Sequence, residues 1–353
     1  MPSAGGGSVR THEINKRLAA EGHHITVLTT TYPGAVERWQ DGVRYVPVGF
    51  GAGRTRLARL LGYIGRLPCE VRRRRGECDL VVEDFFAPFS TMAAPLWTSK
   101  PTVGMVQWLD AEEKWHQYKL PFHLVERAGV RSHKRLVTVS RGTAEALREL
   151  NHSAHIDIIS NGLDPRALEV EPRLGNDVVF IGRLDILDKG IDLLLDAWEG
   201  AHENVDGDLV IIGSGPDESK VLRMVRDKGL NKRVRFTGWM EGAEKFELLG
   251  NARLVVIASR KESFGLVAIE ASATGTPVIA FDIPGLREVV PPGSGWLVRP
   301  FDATALSTEI ALRYNRTEDL EEARQAGRNF ASRFDWETSA VRQAAAYRAA
   351  INQ

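Results

Sequence analysis

The sequence has few cysteines, no excess of charge and no long apolar run. Its 353 residues include only 2 cysteines, so neither a disulfide framework nor a cysteine metal cluster is predicted, and a reducing compartment is expected. The 46 basic residues balance 46 acidic ones, which excludes a global affinity for nucleic acid. No apolar run approaches the ~18 residues of a membrane span, and the first residues contain no signal-peptide core. These absences favour a cytoplasmic enzyme or binding protein.

What the sequence does contain is a repeated strand–loop–helix pattern. Short apolar runs are followed by glycine-containing or polar loops and then by amphipathic helices, which is typical of parallel sheets covered on both faces. We predict an α/β protein with two Rossmann-like domains facing across a cleft. A polar segment near residue 169 sets the predicted boundary between an N-terminal domain, residues 1–168, and a C-terminal domain, residues 169–330. Residues 331–353 are predicted to form a helix that crosses back to the N-terminal domain.

The N-terminal domain begins unusually. Ser3–Ser8 is predicted to be a glycine-rich loop, and Val9–Glu21 a helix that leads to a strand from Ile25. In a β-loop-α unit a strand precedes such a loop, and here the first strand is missing. We expect a true start upstream of Met1; the alternative is a sheet with an open slot.

A second stretch, Leu254–Gly275, predicts a buried strand, a polar loop and a helix that begins at Gly265. The free N–H groups at the start of that helix, together with its dipole, suit a pyrophosphate. Glu262 lies in the loop, and Glu270 lies within the apolar helix, where an unpaired buried carboxylate would be costly. Both carboxylates suit a nucleotide-sugar site. From the spacing alone, a solvated loop glutamate and a helix-surface glutamate are the alternative.

Several motifs, taken in order, resemble a known family. Gly182-Arg183-Leu184 with Lys189-Gly190 is similar to a donor-phosphate loop. The stretch from Glu262 through Glu270 is similar to an E-x7-E motif. Gly213–Pro216 and Thr274–Ile279 resemble the same family's G-x-G-P turn and G-x-P-V strand entry. From Gly5 to about Tyr347 the chain therefore resembles the retaining GT-B glycosyltransferases of family GT4.

The resemblance implies a hexosyltransferase-type enzyme that moves a sugar from a nucleoside-diphosphate sugar to an acceptor hydroxyl. It implies catalytic roles for Glu262, Arg183 and Lys189. The residues that it implies for donor binding are Gly6, Gly7, Gln107, Gly238, Gly265, Leu266 and Glu270. It implies no cofactor and no essential metal, and we interpret Asp206-Gly207-Asp208 as a turn.

Some questions stay open at this stage. Gln107 stands where the family often has histidine, which weakens any inference about the donor sugar. A sugar-nucleotide epimerase and a donor-binding but inactive partner protein are alternative functions. The acceptor could be a glycan, a lipid-linked sugar or a small molecule. The arginine-rich segment Arg54–Arg75 suggests either peripheral contact with the inner membrane face or a solvated helix.

Overall fold

The computed structural model describes residues 6–50, 55–85, 91–109 and 122–352. Arg54 and the first residues of the predicted glycine-rich loop lie outside these ranges. The chain divides into two compact units. Unit 1 contains Met1–Ser160 and Trp336–Gln353, and unit 2 contains Asn161–Asp335. The division thus falls before the expected boundary at residue 168, and the last helix belongs to unit 1.

In its described residues unit 1 has two sheets, and not the single sheet expected for a Rossmann-like domain. In the first, β1 (Ile25–Thr30) pairs in parallel with β3 (Val43–Val48), which pairs antiparallel with β2 (Arg38–Gln40). The second is entirely parallel and runs β4-β5-β6-β7. Its strands are Val81–Asp84, Thr102–Val106, Arg135–Thr138 and His155–Ile158. Within the described ranges no strand joins β1 to β4, which is where the missing strand was expected.

The helices of unit 1 correct one expectation. They are Gly6–Ala20, Arg56–Arg73, Phe122–Ser132, Arg141–Leu150 and Trp336–Ile351. The first helix begins at Gly6, so Gly6 and Gly7 lie in its first turn and not in a loop. Glycine is a poor helix former, and this is why the sequence pattern favoured a later start. The second helix continues through Pro68. Ile14 and Leu18 of the first helix pack against Trp336 of the last one.

Unit 2 is built on one parallel sheet of six strands, in the order β10-β9-β8-β11-β12-β13. The strands, from β8 to β13, are Val178–Ile181, Leu209–Ile212, Val234–Gly238, Leu254–Ile257, Val278–Phe281 and Gly295–Val298. All residues of β9, β11 and β12 are buried, as expected for strands covered on both faces. The strand order reverses between β8 and β11. The loops that follow these two strands therefore diverge at a topological switch point, where α/β sheets bind ligands.

Helices of different lengths surround this sheet. They are Arg166–Glu169, Ile186–Lys189, Ile191–Ala201, Glu218–Asp227, Gly242–Gly250, Leu266–Ala273, Pro284–Arg287, Ala303–Tyr314 and Thr317–Ala331. The helical turn Ile186–Lys189 interrupts what was expected to be a polar loop, because Asp185 accepts a hydrogen bond from the Asp188 N–H and caps it. The last helix begins at Trp336, later than the expected start at residue 331, because Ala331 still belongs to the preceding helix.

In the part of the chain that the structure describes, no helix is long and apolar enough to cross a membrane.

Candidate functional site

The loops that follow β8 and β11 are joined to each other at the switch point. The backbone N–H of Arg260 donates to the carbonyl oxygen of Asp188 at 2.9 Å. The Arg260 guanidinium donates to both carboxylate oxygens of Asp192, at 2.7 and 2.6 Å, and to the carbonyl of Ile186 at 2.8 Å. Burial raises the pKa of Asp192, but the bonds from Arg260 outweigh it and leave that pKa below its ordinary value. Arg260 thus fixes the two loops side by side.

This connection brings two of the predicted catalytic residues together. Lys189 Nζ lies 2.7 Å from Glu262 Oε2, and about a quarter of each side chain is exposed. Gly190, next to Lys189, has φ +60°, and a Cβ there would lie 2.0 Å from the carbonyl oxygen of Ala258. Only glycine allows the two loops to approach this closely. Lys189 and Glu262 form an ion pair that solvent can reach.

The predicted anion site lies beside this pair. Gly265 has φ +84° and precedes the helix Leu266–Ala273; a Cβ there would lie 2.8 Å from Val289. The first N–H groups of a helix have no partner within it, and its dipole favours negative charge at this end. The position of that Cβ is 3.7 Å from Glu262 Cγ, so Glu262 stands next to the helix start. The arrangement can hold a diphosphate between backbone N–H groups and the Lys189 ammonium.

Glu270 has an ionic partner that the sequence did not identify. It is buried, 8% exposed, and its Oε1 lies 2.7 Å from Lys245 Nζ. Lys245 also lies over the ring of Phe246, at 4.5 Å. Glu270 is therefore not the helix-surface glutamate that the spacing alone allowed. A carboxylate paired on one oxygen can still accept hydrogen bonds from hydroxyl groups.

Arg183 occupies the same loop as Lys189 but pairs differently. Its Nη2 lies 2.9 Å from both Asp185 and Asp188, and its side chain is 57% exposed. The positive charge of Arg183 is thus paired with two carboxylates of its own loop. An anionic ligand would have to compete with them for this guanidinium.

The predicted residues of unit 1 also meet each other. Gln107 Nε2 donates to the Gly7 carbonyl at 3.3 Å, and Thr11 Oγ1 lies 3.1 Å from the same oxygen and 3.0 Å from Asp84 Oδ2. A Cβ at Gly7 would lie 3.2 Å from Gln107 Oε1. Burial raises the pKa of Asp84. Asp84 is the last residue of β4.

Gly238 is the last residue of β10, has φ +75°, and accepts from the backbone N–H of Gly213 at 2.8 Å. Asp206-Gly207-Asp208 precedes β9, at the edge of the sheet opposite to the switch point, and the Gly207 N–H donates to Tyr314 Oη at 2.9 Å. In the described ranges no group of three metal-binding side chains is found.

Sequence reasoning missed Arg260, Asp192 and Lys245. Arg260 lies in the polar loop that the sequence analysis singled out, so it could have been recognised as a candidate. Lys245 had no comparable signal, because its pairing with Glu270 depends on how two helices distant in sequence pack together.

Two family models cover this chain in succession. The model described as "Glycosyltransferase Family 4" matches residues 4–167, and the one described as "Glycosyl transferases group 1" matches residues 169–330. The chain belongs to glycosyltransferase family 4. The transferase is 29% identical to a glycogen synthase of Mycobacterium tuberculosis, over 98% of this chain and 91% of that protein. It is 28% identical to a D-inositol 3-phosphate glycosyltransferase of Jonesia denitrificans, with the same coverage. These relatives do not favour the epimerase or the inactive partner.

Solved structures give the fold of the transferase. A sucrose-phosphate synthase from Thermosynechococcus elongatus superposes with a TM-score of 0.84 at 23% identity, over 98% of this chain and 93% of that one. HepE of Anabaena, in complex with UDP-glucose, superposes with a TM-score of 0.76 at 19% identity, over 98% and 96%. The predicted GT-B fold is confirmed.

Proposed function

We propose that the transferase moves a sugar from a nucleoside-diphosphate sugar to an acceptor hydroxyl with retention of configuration. The observation that carries this proposal is the Lys189–Glu262 ion pair, 2.7 Å apart, beside the start of the helix Leu266–Ala273. A cation, a carboxylate and free backbone N–H groups at one point match the charges and hydroxyls of such a donor.

The diphosphate becomes more negative as it leaves the sugar. Lys189, Arg183 and the N–H groups of Gly265 and Leu266 are placed to stabilise that charge, and fixed donors of this kind accelerate the reaction when they bind the transition state more strongly than the substrate. When the donor binds, the Glu262 carboxylate would separate from Lys189 and accept hydrogen bonds from hydroxyl groups of the donor sugar. The leaving diphosphate itself would take the acceptor proton, so no side chain is assigned as general base.

The remaining predicted residues have binding roles in this proposal. Glu270, paired with Lys245, accepts from the ribose hydroxyls. Gly238 lies near the base. In unit 1, Gly6, Gly7 and Gln107 contact the donor phosphate or the acceptor. Because Arg183 and Lys189 supply the positive charge, we propose that no bound metal or cofactor is needed. We expect the turnover to stay unchanged when a chelator is added.

The variants Lys189→Ala and Glu262→Ala test the proposal. We expect each to abolish sugar transfer while thermal unfolding stays cooperative, since a partly exposed ion pair contributes only about 0–1 kcal/mol to stability. Lys220→Ala is the matched control, because it removes an exposed pair with Asp217 elsewhere in unit 2. Wild-type turnover in either of the first two variants would exclude the assigned roles.

The donor is identified by measuring the thermal shift of the protein with a panel of UDP, GDP, ADP, dTDP and their common sugar derivatives. HepE binds UDP-glucose, so the uridine nucleotides are tried first. A ligand present at ~100 times its Kd stabilises the protein by roughly 2.7 kcal/mol, which such a panel detects readily. A shift from one nucleotide family identifies the base, and acceptor screening follows.

We also propose a peripheral contact with the cytoplasmic face of a membrane. Its support is the helix Arg56–Arg73, on which Arg66, Arg72 and Arg73 are exposed together with Leu61, 51% exposed. Basic amphipathic helices bind anionic lipid. Co-sedimentation with phosphatidylglycerol vesicles, lost with Arg66→Glu and Arg72→Glu, supports the contact; equal binding to neutral vesicles argues against it.

A further inference from the structure

Unit 1 contains a cavity that none of the roles above uses. It has a volume of about 370 Å³ and lies between β7 and the helix Trp336–Ile351. Its lining residues are Arg135, His155, Asp157, Ile159, Arg342, Ala345, Ala346 and Ala349. This volume is in the range of small-molecule sites and exceeds what a single water or a bare ion fills.

Arg135 is the buried polar group of this cavity. The residue is 6% exposed, and its Nη1 donates to Asp157 Oδ2 at 2.6 Å. Its Nε is buried and has no hydrogen-bond partner within the described ranges. A buried guanidinium N–H without a partner costs free energy, and native structures nearly always satisfy such groups with protein, water or ligand.

The charges that line the cavity are predominantly positive. Asp157 is the single carboxylate, and it already binds Arg135 on one oxygen and lies 3.2 Å from His155 Nε2 on the other. Arg342 is exposed and donates one N–H to the Ile158 carbonyl at 2.8 Å. The two guanidiniums therefore exceed the one carboxylate by a full positive charge. The excess favours an anion with one or two negative charges.

The opposite wall is apolar and shallow. Ala345, Ala346 and Ala349 come from the last helix and present only methyl groups, and Ile159 adds an aliphatic side chain. Such a wall leaves room for a carbon skeleton and provides no hydrogen bonds of its own. The ligand should thus combine an anionic group with an organic body.

We propose that this cavity binds a small organic phosphate monoester. The phosphate lies against the exposed side chains of Arg342 and His155, and Arg135, whose Nη1 is bonded to Asp157, contributes positive charge. Planar guanidiniums bind phosphate oxygens bidentately, and a phosphate carries about −1.5 to −2 charges at neutral pH. The organic body lies on the alanine wall. The site is a second binding site of the transferase and requires no contact with the residues proposed for the donor.

Isothermal titration calorimetry with glucose 6-phosphate as the probe tests this site. The variant Arg342→Ala is chosen because Arg342 is exposed, so folding is preserved, whereas a change at Arg135 would disturb the core. We expect the Kd to rise at least about tenfold, since a charge-assisted hydrogen bond is lost. Arg348→Ala is the matched control, because Arg348 is exposed on the same helix and does not line the cavity.

Two comparisons separate this site from the donor site and from a plain anion site. Lys189→Ala should leave the affinity for glucose 6-phosphate unchanged, and His155→Ala should weaken it. Glucose should not bind, and inorganic phosphate should bind more weakly than glucose 6-phosphate. No binding at millimolar concentration, an equal loss in Arg342→Ala and Arg348→Ala, or a loss confined to Lys189→Ala would overturn the proposal. Inorganic phosphate binding as tightly as the ester would overturn the assignment of an organic ligand.

Discussion

Lys189 and Glu262 are 73 positions apart in sequence, yet Lys189 Nζ lies 2.7 Å from Glu262 Oε2. Arg260 makes this possible, because it binds Asp192 and the carbonyl of Ile186 in the loop that carries Lys189. The cation proposed for the diphosphate is thus paired with the carboxylate proposed for the sugar. A donor has to separate the two charges, and this has measurable consequences.

Glu262→Gln should tighten the binding of the free nucleoside diphosphate while it lowers sugar transfer. Without the carboxylate, Lys189 is available to the diphosphate, and a partly exposed pair of this kind is worth up to ~1 kcal/mol, or about fivefold in Kd. Lys189→Met should weaken the same binding. Calorimetry with the nucleotide that the thermal-shift panel selects measures both, and an equal loss of affinity in the two variants contradicts the competition between them.

Gly190→Ala should destabilise unit 2 far more than Gly229→Ala. Both glycines have positive φ, +60° and +71°, but a Cβ at position 190 would lie 2.0 Å from a backbone oxygen, and at position 229 it meets nothing within 4 Å. We expect a cost of about 1 kcal/mol for Gly229→Ala and roughly 3–5 kcal/mol for Gly190→Ala. Urea denaturation gives both values, and equal costs would show that the close approach of the two loops is unimportant for stability.

Lys245→Met should leave Glu270 buried without its ionic partner. Removing one member of a largely buried ion pair costs about 3–5 kcal/mol, and the lower end applies here because both side chains keep some exposure, 15% and 10%. The double variant Lys245→Met with Glu270→Gln should recover part of the loss, because no charge is then left unpaired. Chemical denaturation of the single and double variants tests this, and simple additivity of the two effects would contradict it.

The Arg260–Asp192 pair should make stability depend on acid pH. The pKa of Asp192 lies below its ordinary value in the folded chain because the bonds from Arg260 outweigh burial. Its contribution is therefore fully present above the unfolded pKa, about 3.9, and is lost as the pH falls through the lower folded value. The difference in unfolding free energy between wild type and Asp192→Asn should shrink from about pH 5 to about pH 3. A constant difference across that range would contradict it.

Sequence reasoning located the strands of unit 2 because buried parallel strands are continuous apolar runs, as Leu254–Ile257 illustrates. It singled out Glu262 and Glu270, whose roles stay predictions, because they lie in the loop and in the helix of a strand–loop–helix unit with a glycine at the helix start. It failed where a structure depends on distant segments. The helix start at Gly6 runs against the low helix propensity of glycine, and the contact of Gly7 with Gln107 joins segments that are 100 positions apart.

Two explanations for the absent strand followed from the sequence, a start upstream of Met1 and a sheet with an open slot. The division of unit 1 into two sheets corresponds to the second. The partners of Glu270 and Arg260 could not be predicted either, because a lysine or an aspartate on an amphipathic helix has the same pattern whether it faces solvent or a carboxylate. Side-chain pairing between helices and strands depends on the angles at which they pack, and these angles cannot be read from local periodicity.

Unit 1 is assembled from both ends of the polypeptide, and this has a consequence for the order of folding. Arg10 Nη2 donates to Gln343 Oε1, 333 positions away, so the last helix docks by closing a very long loop. Within unit 2 the Leu163 N–H donates to the Phe334 carbonyl at 3.1 Å, which holds the two connecting segments together. Once unit 2 has folded and joined Leu163 to Phe334, roughly half of that loop remains to be closed, and the entropic cost falls by about 0.6 kcal/mol. Prior folding of unit 2 therefore assists the docking of the last helix.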